Sequence, residues 1–198
     1  WSNYHANAGS WVRMAREWDG VFGPYDPESK TTTVGGKPQL PPVPISRIID
    51  GTSHTAAFAE IANGYGNDSG SPKDPKADCF ERPGVPTSTR EAARANIAAA
   101  NWQTSNVPWS NAWRWRGYPW SEGTMWRSWY NHLLPPNANC WKPCTGDGCW
   151  WDLISPPNSY HNGVVNVVMC DGSVQSVADD IDVEVWLENG TRDGVIIR

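Results

Sequence analysis

The feature that most constrains this chain is a pair of apolar runs near its end. Val164-Val165-Asn166-Val167-Val168-Met169-Cys170 and Val174 to Ala178 are separated only by Asp171-Gly172-Ser173. β-Branched residues on both sides of an Asp-Gly turn predict a β-hairpin. Two strands alone are marginal in water, so the hairpin demands further strands and a cover for its apolar side. In the first run Val165, Val167 and Met169 share one wholly apolar face, while Asn166 interrupts the other. That face is expected to be buried, either by the chain's own first residues or by another chain.

Other elements follow from the same rules. Asp182 to Glu188 reads as a short amphipathic helix stopped by Asn189-Gly190. Thr55 to Ile61, with Phe58 and Ile61 among alanines, reads as a core strand, although alanine also suits a helix. Ser88-Thr89-Arg90-Glu91 has capping-box spacing and opens a helix to about Ala100. The first 45 residues show little periodicity, and Pro38 and Pro41-Pro42-Val43-Pro44 predict extended, polyproline-like backbone. Residues 63–87 read as a long exposed insertion, and residues 101–153, which hold most of the tryptophans, as a second loop-rich one. A single α+β domain over residues 1–198, one antiparallel sheet with helices on one side, accommodates these signals.

Composition excludes several classes. The chain of 198 residues has 18 Gly and 17 Pro, enough to predict much loop but short of low complexity. Its net charge of −5 disfavours nucleic acid and anionic membrane surfaces as partners. No run exceeds four consecutive apolar residues, so no membrane-spanning helix or signal-peptide core is expected in it.

Of the five cysteines, Cys140, Cys144 and Cys149 fall in one Pro-, Gly- and Trp-rich loop. Their spacing lacks the paired knuckles of a zinc site, and Cys-x-x-Cys-His for haem is absent. Disulfides outside the cytoplasm are the favoured reading, with zinc and free thiols as the alternatives. Cys144 and Cys149 enclose Thr145-Gly146-Asp147-Gly148, flexible enough to close a bridge. Cys79 and Cys140 are then paired by elimination, leaving Cys170 as a buried thiol.

His161 is followed by nine residues and then Asp171-Gly172. This pattern resembles the signature of the bacterial prepilin-type processing-associated H-X9-DG proteins, and four further segments match that family in the same order. Asn3-Tyr4-His5 resembles the end of its first long helix. Asp50-Gly51-Thr52-Ser53-His54-Thr55, with Glu60, resembles its Asp-Gly-Thr-Ser-Asn-Thr strand. Leu134-Pro135-Pro136-Asn137 to Cys140 resembles its Pro-Asn…Cys loop, and Gly190-Thr191-Arg192-Asp193-Gly194 its C-terminal turn. The resemblance implies a pilin-like fold, in which the sheet packs on the second half of a hydrophobic N-terminal helix. The chain begins where that helix would end, so a membrane is implied only through an absent helix. The family's Asp-Gly-Gly-Glu ending stands here as Asp193-Gly194-Val195-Ile196. The implied function is a structural, pseudopilin-like subunit of an extracellular or envelope filament or complex, assembling with itself or with other pilin-like chains, and related to type II secretion.

Each motif also has a plainer reading. His161 and Asp171 bracket a strand of about nine residues, roughly 30 Å if extended, which argues against an acid–base or metal pair. Asp171-Gly172 and Asp50-Gly51 are explained by turns, where Gly supplies positive φ and Asp bonds local backbone. Asp147, Asp152, Asp179, Asp180, Asp182 and Asp193 are acidic turn residues that together suggest calcium, but no Asp-x-Asp-x-Asp-Gly loop is present. Gly-x-Ser-x-Gly, His-Glu-x-x-His and phosphate-loop patterns are absent, so neither catalysis nor a cofactor is expected. Trp109, Trp113, Trp115, Trp120, Trp126 and Trp129 recur among Arg114, Arg116 and Arg127, which predicts guanidinium–indole stacking. Exposed, such a surface would bind polysaccharide or a neighbouring subunit; buried, it is the core of a loop-rich domain. A Trp-rich polysaccharide-binding module is therefore the alternative function.

Overall fold

The hairpin sets the frame of the molecule. A computed structural model describes residues 1–14, 18–28, 32–66, 71–108, 114–146 and 148–194. It contains β1 (Tyr4–Asn7), β2 (Thr33–Val34), β3 (Lys37–Pro38), β4 (Ala56–Glu60), β5 (Cys79–Glu81), α1 (Arg90–Ala98), β6 (Trp129–Tyr130), β7 (Cys140–Lys142), β8 (Val164–Met169), β9 (Val174–Ala178) and α2 (Val183–Gly190). The fold is α+β. Its main sheet has the order β6-β1-β4-β8-β9, while β2–β3 and β5–β7 form two small sheets.

β8 alternates half-buried and buried residues along its length, as a strand with one face on a core must. Val165, Val167 and Met169 are buried together with Ala56, Ala59, Ile61, Tyr130 and Trp186. The cover is thus α2 of the same chain, through Trp186. The expected covers, the first residues or a second chain, are not what closes this face. Asp182 caps α2 by accepting from the Glu184 and Val185 amides at 2.9 and 3.2 Å. The helix then lays Trp186 on the sheet, with its Nε1 donating to Leu134 O at 2.8 Å. Gly190 does not end this helix as expected; it lies in the last turn, and Thr191 is the C-cap. A Cβ at Gly190 would sit 2.4 Å from His132 Cγ, so the glycine is there for close approach.

The first residues are a strand rather than the end of a helix. β1 pairs antiparallel with β4, Tyr4 opposite Glu60 and Ala6 opposite Phe58. It is locked from inside by Asn7, whose Nδ2 donates to Ala56 O at 2.8 Å and Gly190 O at 2.9 Å. β6 joins the other side of β1 in parallel, so the sheet is mixed, not antiparallel throughout. The chain reaches β6 only after the excursion through residues 61–128 and re-enters in the direction of β1.

That excursion builds a second core. Residues 63–87 are not an exposed insertion: Ala77, Asp78, Cys79 and Phe80 are buried. β5 pairs in parallel with β7, placing Cys79 opposite Cys140, with Phe80 against Trp102 and Trp141. α1 starts one residue later than the capping-box reading, with Thr89 Oγ1 accepting from the Ala92 amide at 3.1 Å. Its Ala93 and Ile97 are buried in the same cluster as Trp11, Trp18, Trp126 and Leu133. Buried cations tie these loops together. Arg114 Nε donates to Asp78 at 2.8 Å and its other nitrogens to Ser71 O and Pro72 O. Arg116, fully buried, donates to Lys76 O at 2.9 Å, Ser155 Oγ at 2.9 Å and Pro156 O at 3.1 Å. Burial pulls its guanidinium down to about 10. Carbonyls of irregular backbone need donors, and a guanidinium supplies five at once.

Candidate functional site

Each motif residue has a local task, and the fold sorts them to two ends of the sheet. At one end, three Asp-Gly turns converge. Asp171 accepts at Oδ1 from the Ser173 amide at 2.9 Å and the Ser173 hydroxyl at 2.7 Å, bonds that hold its carboxyl below the usual range. Gly172 has φ of 86°. The Asp171 amide donates to Thr52 O at 3.0 Å and the Cys170 amide to Thr55 O at 2.8 Å, which docks the hairpin turn on the Asp50-Gly51-Thr52-Ser53 segment. Gly51 also has positive φ, at 92°. The Ile49 amide donates to Arg192 O at 2.7 Å, and the Asp50 carboxylate accepts from the Gly194 amide. Burial raises the Asp50 carboxyl, with Asp193 adding to the effect.

His161 and Asn137 belong to the other end. His161 Nε2 lies 3.4 Å from Glu60 Oε1, and its amide donates to Ser159 Oγ at 3.1 Å. Glu60 also accepts from the Asn166 amide at 2.8 Å, so it pins β4 to the entry of β8. Asn137, with φ of 62°, accepts at Oδ1 from the Ser159 amide at 3.1 Å. His161 and Asp171 thus take different partners at opposite ends of β8.

This geometry sets the size of one substitution effect. A Cβ at Gly172 would meet nothing within 4 Å, so Gly172→Ala incurs only the strain of positive φ. We expect a loss of about 1 kcal/mol by urea unfolding. A loss several times larger would mean that the turn is packed more tightly than described.

The tryptophans divide. Trp126 and Trp129 are core residues, and Trp129 stacks edge-on to Trp18 with centroids 5.7 Å apart. Trp115 is half-buried against Tyr118, Trp120 is 70% exposed, and Trp109 and Trp113 lie outside the described residues. The arginines among them serve backbone carbonyls: Arg127 donates to Trp115 O and Tyr118 O. Trp1 extends this exposed aromatic set from the chain start, meeting Tyr118 at 5.3 Å.

The cysteines form two bridges, Cys79–Cys140 and Cys144–Cys149, with Cα separations of 4.4 and 6.3 Å. Cys170 is a free, half-buried thiol that burial pushes up. Among the acidic turn residues, Asp152 pairs with Arg13 at 3.7 Å, Asp182 caps α2, and Asp147 lies outside the described residues. Among the described residues no three His, Cys, Asp or Glu side chains gather to hold a metal, and no helix is long and apolar enough to cross a membrane.

One surface was not anticipated. On the face of the sheet away from α2, beside the turn cluster, runs an apolar groove of about 590 Å³. Phe22, Ile45, Ile48, Phe58, Val168 and Gly172 line it, with the Pro41-Pro42 stretch as one wall. Ile45 is 76% exposed and Phe58 38%. The signal in the sequence was Phe58, a lone large side chain on an alanine strand.

A family model described as "Protein of unknown function (DUF1559)" matches residues 5–184. No curated protein and no solved structure matches the chain.

Proposed function

The chain belongs to the family of proteins of unknown function DUF1559, and on that premise we propose that it is a structural, pseudopilin-like subunit of an extracellular or envelope filament or complex, assembling with itself or with pilin-like chains. The observation that carries this reading is the open apolar groove beside the three Asp-Gly turns. A concave apolar surface on an otherwise half-covered sheet fits the side of a helix or of a neighbouring subunit. The use of Asp50, Gly51, Asp171, Gly172 and Asn137 in turns, and of His161 in a strand-to-strand clasp, favours a scaffold over a catalyst. Two disulfides suit an oxidising compartment.

Phe58→Asp tests the reading in the full-length protein expressed in its native host. The charge lies in the groove at a position already 38% exposed, so folding should survive while assembly is lost. The readouts are sedimentation of native complexes and negative-stain microscopy, with near-ultraviolet circular dichroism as the check on folding. Unchanged assembly of a folded variant, or no assembly of the parent, overturns the proposal. The exposed Trp1, Tyr118 and Trp120 favour the polysaccharide-binding module as the second reading. Retention on insoluble polysaccharide that Trp120→Ala abolishes would select it.

A further inference from the structure

β9 is an edge of the main sheet, and its backbone is half used. The Met169 amide donates to Ser173 O and the Asp179 amide to Gly163 O, which fixes the bonded phase of the hairpin. Antiparallel pairs alternate between bonded and non-bonded, so Val177 and Gln175 aim their backbone groups at Val165 and Val167 of β8. The N–H and C=O of Val174, Ser176 and Ala178 then point outward. Among the described residues no backbone group bonds to those of Val174 and Ser176 or to the Ala178 N–H, while Ala178 O accepts from the Ile181 amide at 3.3 Å. Proteins protect such edges with Pro, Lys, inward charges or bulges. β9 reads Val-Gln-Ser-Val-Ala and has none of these. The opposite edge, β6, is only two residues long.

We propose that β9 pairs antiparallel with β9 of a second copy of this chain, about a two-fold axis through Ser176. In this register Ser176 faces Ser176 of the second copy, and Val174 faces Ala178 at both ends. All three outward donors of each copy are bonded, to Val174 O, Ser176 O and, on the lone pair left beside Ile181, Ala178 O, which a shift by one residue would not achieve. The two-fold axis sets Ser176 against itself, where a charge would repel its own copy; β9 carries no charge. Val174, 64% exposed, gains an apolar neighbour in Ala178. Asp171, Asp179 and Asp180 flank the strand, so the ribbon ends bring carboxylates of the two copies within screening distance. Added salt therefore strengthens the contact rather than weakening it. A two-fold contact closes after two chains, unlike the repeating contact of a filament, so this inference does not rest on the filament reading.

The test is sedimentation velocity of the purified chain from low micromolar to millimolar concentration, combined with amide hydrogen exchange. We expect a reversible monomer–dimer equilibrium, at least as strong in high salt as in low. The amides of Val174, Ser176 and Ala178 should become at least tenfold better protected as the dimer fills. Ser176→Pro removes an outward donor without breaking a bond to β8, and Ser176→Lys places like charges on the axis. Both should be monomeric at concentrations where the parent is dimeric. If a variant fails to fold, the exchange data on the parent decide alone. A dimer that leaves these three amides unprotected, or that added salt dissolves, overturns the proposal. A chain monomeric throughout also overturns it, and leaves the edge to an extended segment of a different protein.

Discussion

Acidification from about pH 6.5 to about pH 4.5 should lower stability by about 4 kcal/mol, because two histidines are buried as neutral rings. His5 and His132 are both fully buried, and burial pulls each down from 6.5 to about 3. The guanidinium of Arg116 adds to the effect at His5. The hydrogen bonds require the neutral form at His132. Its Nδ1–H donates to Trp186 O at 2.8 Å, and its Nε2 accepts from the Tyr130 hydroxyl at 3.1 Å. At His5, Nδ1–H donates to Trp129 O at 3.2 Å, and Nε2 has no partner to receive a proton's charge. The sign follows from linkage. Above pH 6.5 both states are neutral at these positions and nothing changes. Below it the unfolded chain takes up two protons that the folded chain refuses, so stability falls by up to about 2.7 kcal/mol per pH unit. Asp19 works against this, since burial raises its carboxyl and the folded state takes up that proton first. Urea unfolding followed by tryptophan fluorescence across this range measures the slope. A flat profile would sink the account, and replacing either histidine by Gln should halve the slope if the variant folds.

Where local rules were sufficient, the sequence was legible. β8, β9 and α2 are each announced by alternation, by Asp171-Gly172 or by the Asp182 cap, and each is within a residue or two of its expected place. β1 was not legible. Four residues with a buried histidine and asparagine have no period of their own, and they become a strand because β4 and β6 offer partners on both sides. The second core hid for a similar reason. Trp18 and Trp126 come from loops and Trp141 from the three-residue β7, and what orders this region is the parallel strand pair together with buried Arg114, Arg116 and Lys142. Charged residues in a Gly- and Pro-rich stretch read as surface; here they are donors for buried carbonyls. The groove escaped because Phe22, Ile48, Phe58 and Val168 come from four separate segments. The turn residues of the motifs were legible one by one, but the meeting of Asp50, Asp171 and Gly194 was not, since only the docking of three chain segments creates it.

The largest single covalent contribution should come from Cys79–Cys140, whose removal we expect to cost about 4 kcal/mol and about 10 °C in Tm. A cross-link stabilises mainly by restricting the unfolded chain, and the restriction grows with the logarithm of the loop it closes. This bridge spans a sequence separation of 61, enclosing α1 and β6, whereas Cys144–Cys149 spans 5. The same relation assigns the short bridge about 2 kcal/mol. Position widens the difference. Cys79 and Cys140 are fully buried on β5 and β7, opposite one another in register, so truncation also leaves a void in the core. Cys144 and Cys149 are only partly buried in a loop, where lost packing is small. Thermal unfolding of Cys79→Ala/Cys140→Ala and of Cys144→Ser/Cys149→Ser separates the two contributions. Thiol titration of the denatured, unreduced parent should return one free cysteine, Cys170. Equal losses in the two double variants, or a larger loss from the short bridge, would show that loop closure does not set the stability of the Trp-rich core. In that event the buried cations, rather than the cross-link, would hold its loops in place.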